Sequence, residues 1–295
     1  MKRAFASACT LFLLASCIQQ SPLPPDQVLQ KATEEMGTLN SAHFNLHATV
    51  SGNTQILPAN LDGVIDASGD MQNGGNQLSF TVHADLQQAS DSTTRFNGQA
   101  DIVVAGQNDV YMKLDSLTVT PESALLPQAL ILQLLDQWWH MPSGSGAIVQ
   151  TDVTPDPNLL RMQTQVITVR KDDGMTSVAG RRSYHYDIGI DPDKLTQYMK
   201  EIERRRNSPG QPPDLSSLNA QGQIWIDAST YDVRQLTWNL SSTNPAQPFQ
   251  ATIVVTLTNQ NAPVTITPPA GAKPFPVGGL PAAANPVSSS ASSGG

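Results

Sequence analysis

Histidine side chains are the first candidates for chemistry in this sequence, because imidazole both transfers protons and binds metal ions. His43, His47 and His83 lie in segments where apolar and polar residues alternate, and each occupies a polar position. Residues four apart in a strand are about 13 Å apart, so His43 and His47 cannot share one ion. We therefore predict solvated surface histidines and no metal site.

The short motifs of common enzyme classes are absent from the sequence. It has no G-x-S-x-G elbow, Walker loop, H-E-x-x-H pair or paired-cysteine motif. The run Arg204-Arg205-Arg206 ends a predicted helix, where cations complement the helix C-terminus; contact with a lipid head group is the alternative. We predict neither an enzyme nor a bound cofactor.

Cys17 is the remaining reactive side chain, and its position suggests one specific modification. A basic pair near the N-terminus is followed by the apolar stretch 11–14, which is too short to cross a bilayer as a helix of about 20 residues. The sequence then reads Leu14-Ala15-Ser16-Cys17, which resembles the bacterial lipobox, where cleavage precedes a cysteine carrying a diacylglyceryl group. We predict a lipoprotein signal peptide at residues 1–16, lipid such as palmitate on Cys17, and a lipidated tether at residues 17–25.

Charge and cysteine content restrict the partners of the mature chain. The full sequence has 17 basic and 25 acidic residues, and the signal removes two basic ones, which leaves 15 against 25, or −10. Such a surface does not attract nucleic acid or an anionic bilayer, so the N-terminal lipid must supply the membrane anchor. The other cysteine, Cys9, lies in the signal, so no disulfide forms within one mature chain. We expect a lipid-anchored monomer on the extracytoplasmic face of the bacterial cell membrane.

The elements that would position any site are mostly strands, because the apolar pattern has a period of two. About eleven strands are predicted, with turns at signals such as Asp172-Asp173-Gly174 and Ala179-Gly180. Helices are predicted at residues 26–39, with Asp26 as the cap, at 123–136, with Pro127 in its first turn, and at 191–206.

The predicted strands form one folded domain, residues 26–268, and the remainder, residues 269–295, is rich in Pro, Ala, Gly and Ser and is predicted to be disordered. Three helices cannot cover the apolar face of so many strands, which lie about 4.8 Å apart, so the sheet must curl. We predict a mainly β (α+β) chain, a strongly curved antiparallel half-barrel with a few helices on its concave face.

An open concave face would form an apolar cavity lined by alternating strand residues and by the second helix. Candidate lining residues are Phe44, Leu46, Val50, Leu78, Phe80, Val82, Leu126, Leu130, Leu134, Tyr184, Tyr186, Ile188, Leu236 and Trp238. Trp138 and Trp139 are adjacent in a strand, so at most one of them faces the cavity. A filled core is the alternative interpretation of the same alternation.

The order of these features resembles the LolA/LolB-like lipoprotein-carrier superfamily, and within it the mycobacterial LppX/LprG type. The segments that carry the resemblance are Val28 to Phe44, Leu135-Asp136-Gln137-Trp138-Trp139, Gly222 to Asp227 and Ala262 to Pro268. The resemblance implies a half-barrel that holds acyl chains of lipids or lipoproteins, uses no cofactor and acts as an envelope carrier or chaperone. An envelope transporter is then a candidate delivery partner. Two alternatives stay open: an envelope sensor module, and a static surface lipoprotein with a filled core.

Overall fold

The structure, a computed structural model, describes most of the chain between residues 23 and 275. The described residues are 23–53, 60–88, 91–106, 109–122, 127–142, 166–206, 217–242, 244 and 248–275. Among their helices, none combines the length and the apolar character needed to span a membrane. Cys17 and Leu126 lie outside these residues.

Three α-helices are present in the described residues: α1 (Pro25–Thr38), α2 (Gln128–Leu134) and α3 (Pro192–Arg206). The prediction for α3 is confirmed, because Oδ1 of Asp191 accepts the backbone N–H groups of Asp193 and Lys194 at 3.0 and 3.1 Å. The capping prediction for α1 is wrong. Asp26 lies in the first turn, and the helix instead begins with proline at its first position.

The second helix is shorter than the predicted span of residues 123–136. Pro127 precedes α2 with an extended backbone rather than sitting in its first turn, and residues 123–126 lie outside the described part. Pro127 has a ψ of 148°, which is not helical, so Gln128 is the first helical residue. At the other end Leu135 is extended, and the N–H of Asp136 donates to the carbonyl of Leu114 in a strand.

Twelve strands of the described residues form one sheet. In chain order they are β1 (Ala42–Asn53), β2 (Asn60–Gln72), β3 (Gln77–Gln88), β4 (Asp91–Gly106), β5 (Asp109–Thr120), β6 (Trp138–Pro142), β7 (Ile167–Val178), β8 (Arg181–Ile190), β9 (Leu218–Asp227), β10 (Val233–Ser242), β11 (Phe249–Thr258) and β12 (Lys273–Pro274). The spatial order is β12-β6-β5-β4-β3-β2-β1-β11-β10-β9-β8-β7. Every pair is antiparallel except β12 with β6. The predicted fold class, a curved and mainly antiparallel half-barrel, is confirmed.

Two predicted boundaries differ from the structure. Asp172-Asp173-Gly174 forms no turn: it lies inside β7 at a bulge, and β7 continues to the true turn at Ala179 and Gly180, both with positive φ. The predicted disordered tail, residues 269–295, begins too early. Lys273 and Pro274 pair with β6, because the backbone of this segment finds an open sheet edge despite its low apolar content.

The main core lies where α1 crosses the apolar face of the sheet. Val28 and Ala32 of α1 are buried against Tyr186 and Ile188 of β8 and against the isoleucines of β9. This placement agrees with the predicted position of helices on the concave face. It also means that one end of the apolar face is covered, which matters for the site below.

Candidate functional site

The register of the sheet brings the predicted lining residues of its strands to one face. Leu46 of β1 lies opposite Val255, which lies opposite Leu236, then Ile224, then Tyr186. Residues directly opposite each other in neighbouring strands share a face. A single apolar row therefore crosses five strands, from β1 to β8. The other predicted strand residues lie an even number of positions from this row in β1, β8 or β10, or opposite such positions across β2 in β3, so they share the same face.

The same face continues through β2 to β6, beyond the residues that were predicted. Phe44 lies opposite Gly69, which lies opposite Phe80, then Ile102 of β4 and Met112 of β5. In the described parts of β1, β2, β5 and β11, and in β3 and β4 as far as the pair Leu86–Phe96, no inward position of this register carries an ionisable side chain. The alternation that marks these positions was visible in the sequence, but the pairing that joins the strands was not.

Burial divides this face into a covered and an open part. Tyr186 and Ile188, both predicted to line a cavity, are only 1% exposed beneath α1 and act as core residues. Tyr184, Leu236 and Trp238 pack against that core and are half-buried. Burial also raises the pKa of the Tyr186 phenol, so its side chain stays neutral.

The open part consists of the inward side chains of β11, β1, β2 and β3. Every apolar inward residue there is half-buried, from Phe44 to Val50 in β1 and from Leu78 to Leu86 in β3. On the sheet positions that border the open part, Ala42 of β1 and Ala100 and Val104 of β4 are buried. The open part thus presents a broad, uncharged apolar surface with spare solvent contact.

Glycine at the inward positions of β2 lets this surface curve tightly. A Cβ atom on Gly69 would lie 2.2 Å from the backbone carbonyl oxygen of Ser79, and one on Gly63 would lie 2.1 Å from that of Asp85. Over Gly69 the rings of Phe44 and Phe80 approach to a centroid distance of 5.9 Å. The two phenylalanines belong to strands on either side of β2, so their contact follows from the missing side chain between them.

The second helix borders the face at its other side, beside β5 and β6. Leu130 and Leu134 are half-buried, whereas Ile131 between them is only 1% exposed. The indole N–H of Trp139 donates to the carbonyl of Leu134 at 3.1 Å, and Trp139 lies on the apolar face opposite Met112. Trp138 points to the other face, where the Lys113 ammonium lies over its ring, so at most one tryptophan faces inward, as predicted.

A C-terminal strap, residues 259–275, runs along one end of the sheet. It leaves β11, contacts Ser41 at the start of β1, and donates the Ile266 N–H to the Gln72 side chain at the end of β2. Its last part pairs with β6, where Phe275 packs edge-on against Trp139 at 6.0 Å. The strap therefore spans the end of the open part, from β11 to β6. Composition alone gave no signal for it.

The opposite face of the sheet is polar, as the sequence predicted for its histidines. His43 pairs with Asp70 at 2.9 Å and His47 with Asp66 at 2.7 Å. A shallow groove of about 330 Å³ lies beside His47 and His83. Lys113 bridges Asp101 and Asp115, whose hydrogen bonds raise its pKa. The sheet thus separates a charged outer face from an uncharged inner one.

Comparison with known proteins gives likeness of structure only. No protein-family model and no curated protein matches the sequence. Among solved structures, the chain resembles the Mycobacterium tuberculosis lipoprotein LppX, with 12% identity, a TM-score of 0.39, and coverage of 83% of this chain and 100% of that one. It also resembles LprF from Mycobacterium bovis, with 17% identity, a TM-score of 0.39, and coverage of 85% and 100%. These likenesses assign neither a family nor a ligand to this chain.

Proposed function

We propose that the open part of the apolar face binds lipid acyl chains, and that the protein is a carrier or chaperone for lipids or lipoproteins in the cell envelope. The observation that carries the proposal is the half-buried, uncharged surface of β11, β1, β2 and β3 beside a fully packed core under α1. Half-buried apolar side chains that are grouped on one face, beside a packed core, are typical of a site that binds an apolar ligand. The role is that of a binding protein and not of an enzyme.

The energetics of this face favour an acyl chain over a polar ligand. A buried methylene contributes about 0.8 kcal/mol, so a sixteen-carbon chain gains on the order of 10 kcal/mol, against association costs of at least about 4 kcal/mol. No charged anchor is needed for useful affinity. The inward positions of β1, β2 and β11 and those of β3 as far as Leu86 carry no ionisable side chain in the described residues, which fits this mode of recognition.

The test is the lipid content of the full chain purified from its own host. Organic extraction followed by mass spectrometry counts non-covalent lipid per chain, while lipid attached to Cys17 stays with the protein. We expect diacyl lipid in the wild type and less of it in Phe80→Arg and Leu130→Arg, both folded by circular dichroism. Thr118→Arg, an exposed position on the polar face of β5, is the matched control and should keep wild-type occupancy.

A different result identifies the alternatives. Lipid-free wild type together with unfolded Phe80→Arg and Leu130→Arg would mean that the face is a filled core, since an unpaired buried charge unfolds a protein. The static surface lipoprotein would then be the better description. Folded variants that still carry lipid would place the ligand elsewhere.

We further propose that the chain is held at the extracytoplasmic face of the cell membrane through Cys17. Support comes from the lipobox-like sequence and the signal-like residues before it. Replacing Cys17 with serine should abolish incorporation of labelled palmitate and release the protein from the membrane. Labelled palmitate in the Ser variant would contradict this proposal and leave the lipid-binding one intact.

A further inference from the structure

A mixed cluster of acidic and imidazole side chains lies on the polar face near the edge of the sheet. His185 and Asp187 are two apart in β8 and therefore share that face, away from Tyr184 and Tyr186. Asp173 comes from the neighbouring edge strand β7, where the pairing is interrupted between Asp172 and Met175. A bulge at this point redirects a side chain toward the adjacent strand.

The three side chains bring one potential ligand atom each to the same place. A ring nitrogen of His185 and one carboxylate oxygen each of Asp173 and Asp187 lie within 4.8 Å of one another. Asp187 is oriented by the Gln223 side-chain N–H, which donates to it at 3.1 Å. Asp173 is 20% exposed and is contacted by the Lys171 ammonium. Two carboxylates and one imidazole are thus held together by two strands.

The imidazole is the group whose bonding is incomplete. Nε2 of His185 is buried and has no hydrogen-bond partner in the part of the chain that the structure describes. The ring is fixed by stacking on Trp225, with centroids 4.4 Å apart. A buried polar atom without a partner costs about 1–3 kcal/mol, and a water molecule or an ion that bonds to this atom would remove that cost.

We propose that Asp173, His185 and Asp187 bind a divalent transition-metal ion, which ties the edge strand β7 to β8. One nitrogen and two carboxylate oxygens are a ligand set that Zn²⁺ accepts, with a fourth position open to water. Zinc bonds of about 2.0–2.2 Å place tetrahedral ligand atoms about 3.3–3.6 Å apart, so the side chains need to close by roughly 1 Å. This inference concerns the opposite face from the proposed lipid site and does not depend on it.

Any ion that binds Asp173 must displace the Lys171 ammonium from its carboxylate. The Lys171 ammonium donates a hydrogen bond to Asp173. This bond, the charge of Asp173 and the charge of Asp187 all raise the pKa of Lys171. One monovalent cation leaves one negative charge on the two carboxylates and does not satisfy His185. A divalent ion neutralises both carboxylates and also bonds to His185. The Lys171 side chain is largely exposed, so it can move into water when the ion binds.

The experiment is a calorimetric titration of the chelator-treated full chain with Zn²⁺ alone. We expect one equivalent bound by the wild type, and binding weakened at least about tenfold in His185→Gln and in Asp187→Asn. His47→Gln is the matched control, because His47 also pairs with an aspartate on the polar face but has no third ligand. Lys171→Met should bind zinc about two- to five-fold more tightly.

Several outcomes would overturn the proposal. A wild-type protein that does not bind about one equivalent of zinc would do so. A His185→Gln variant with unchanged zinc affinity and an unchanged circular dichroism spectrum would also do so. Equal weakening in His47→Gln would show that zinc binds surface histidines in general. A Lys171→Met variant that binds no tighter than wild type would contradict the placement of the ion at Asp173.

Discussion

Two stretches of the same sheet face carry the same alternating pattern and have different surroundings. Under α1, Tyr186 and Ile188 of β8 are fully buried by Val28 and Ala32. In β1 to β3 and β11 equally apolar side chains stay half-buried, and none of them belongs to the core cluster under α1. Alternation therefore says which side of a strand faces inward, and the element placed on top decides between core and binding surface.

The largest effect is expected where the face is covered. Ile188→Ala removes a side chain that is 1% exposed, so the free energy of unfolding should fall by about 2–5 kcal/mol, the transfer and cavity cost of such a truncation. Urea unfolding followed by circular dichroism measures it. A loss below 1 kcal/mol would mean that the part under α1 is as loosely packed as the rest, and the comparison would fail.

The fold followed from the sequence further than the site did. Period-two segments such as Tyr184 to Ile190 identified strands, inward faces and the need to curl, because these depend on local pattern and on area. Which inward residues are covered depends on where α1 docks, so Tyr186 was assigned to the cavity and lies in the core. The sequence did not predict the C-terminal strap, because backbone pairing with β6 holds its last part in place and apolar content does not.

The sequence also did not predict the cluster of Asp173, His185 and Asp187. His185 and Asp187 share a face by simple alternation, and this signal was available. Asp173, however, joins them only because β7 has a bulge at this point. The sequence Asp172-Asp173-Gly174 predicted a turn there instead. A bulge arises from the pairing of two whole strands, so a local motif does not reveal it.

The second prediction compares the connecting turns of the two parts. Asp227, at the end of β9 beside the covered part, is buried and accepts hydrogen bonds from Ser229 and from the Thr230 N–H. Burial raises the pKa of its carboxyl, but these bonds outweigh it, and the pKa lies below its ordinary value. Asp227→Ala should cost about 1.5–3 kcal/mol at pH 7, whereas Asn76→Ala in the exposed β2–β3 turn should cost less than about 0.5 kcal/mol.

The pH dependence of that cost follows from the direction of the shift. A lowered pKa in the folded state stabilises the protein above the unfolded value of about 3.9, and the gain is lost as pH falls through the folded pKa. The difference between wild type and Asp227→Ala should therefore be constant from about pH 6 to 8 and narrow below about pH 4. Urea titrations at several pH values test this, and a difference that widens in acid would contradict the assignment.

The third prediction concerns curvature in the open part. Gly69→Ala should destabilise the fold by about 1–3 kcal/mol, because its Cβ would meet the Ser79 carbonyl at 2.2 Å and separate Phe44 from Phe80. Gly37→Ala is the matched control. It lies in α1 with nothing within 4 Å of the added atom, so it should stabilise by about 0.5–1 kcal/mol. Equal effects at the two glycines would show that β2 is not tightly curved.

Truncation of Val82 is expected to have a small effect on stability, and it tests the difference between the covered and the open part directly. Val82 lies on the inward face of β3, opposite Ala67 and Ala100, and is half-buried. Truncation to alanine removes two carbon atoms that are already partly in contact with solvent, and no closed cavity is left behind. The unfolding free energy of lipid-free protein should therefore fall by less than about 1 kcal/mol, in contrast to Ile188→Ala.

Lipid occupancy should rank the two variants in the opposite order to stability: Val82→Ala should lose more lipid than Ile188→Ala. If acyl chains lie on the open part, Val82→Ala removes contact with the ligand and lowers occupancy, whereas Ile188→Ala leaves the ligand surface intact in whatever fraction remains folded. Paired urea titration and lipid extraction on the two variants give both quantities. Since stability and occupancy then move independently, a Val82→Ala variant that loses as much stability as Ile188→Ala would show that the open part is packed in the folded protein and has no room for an acyl chain.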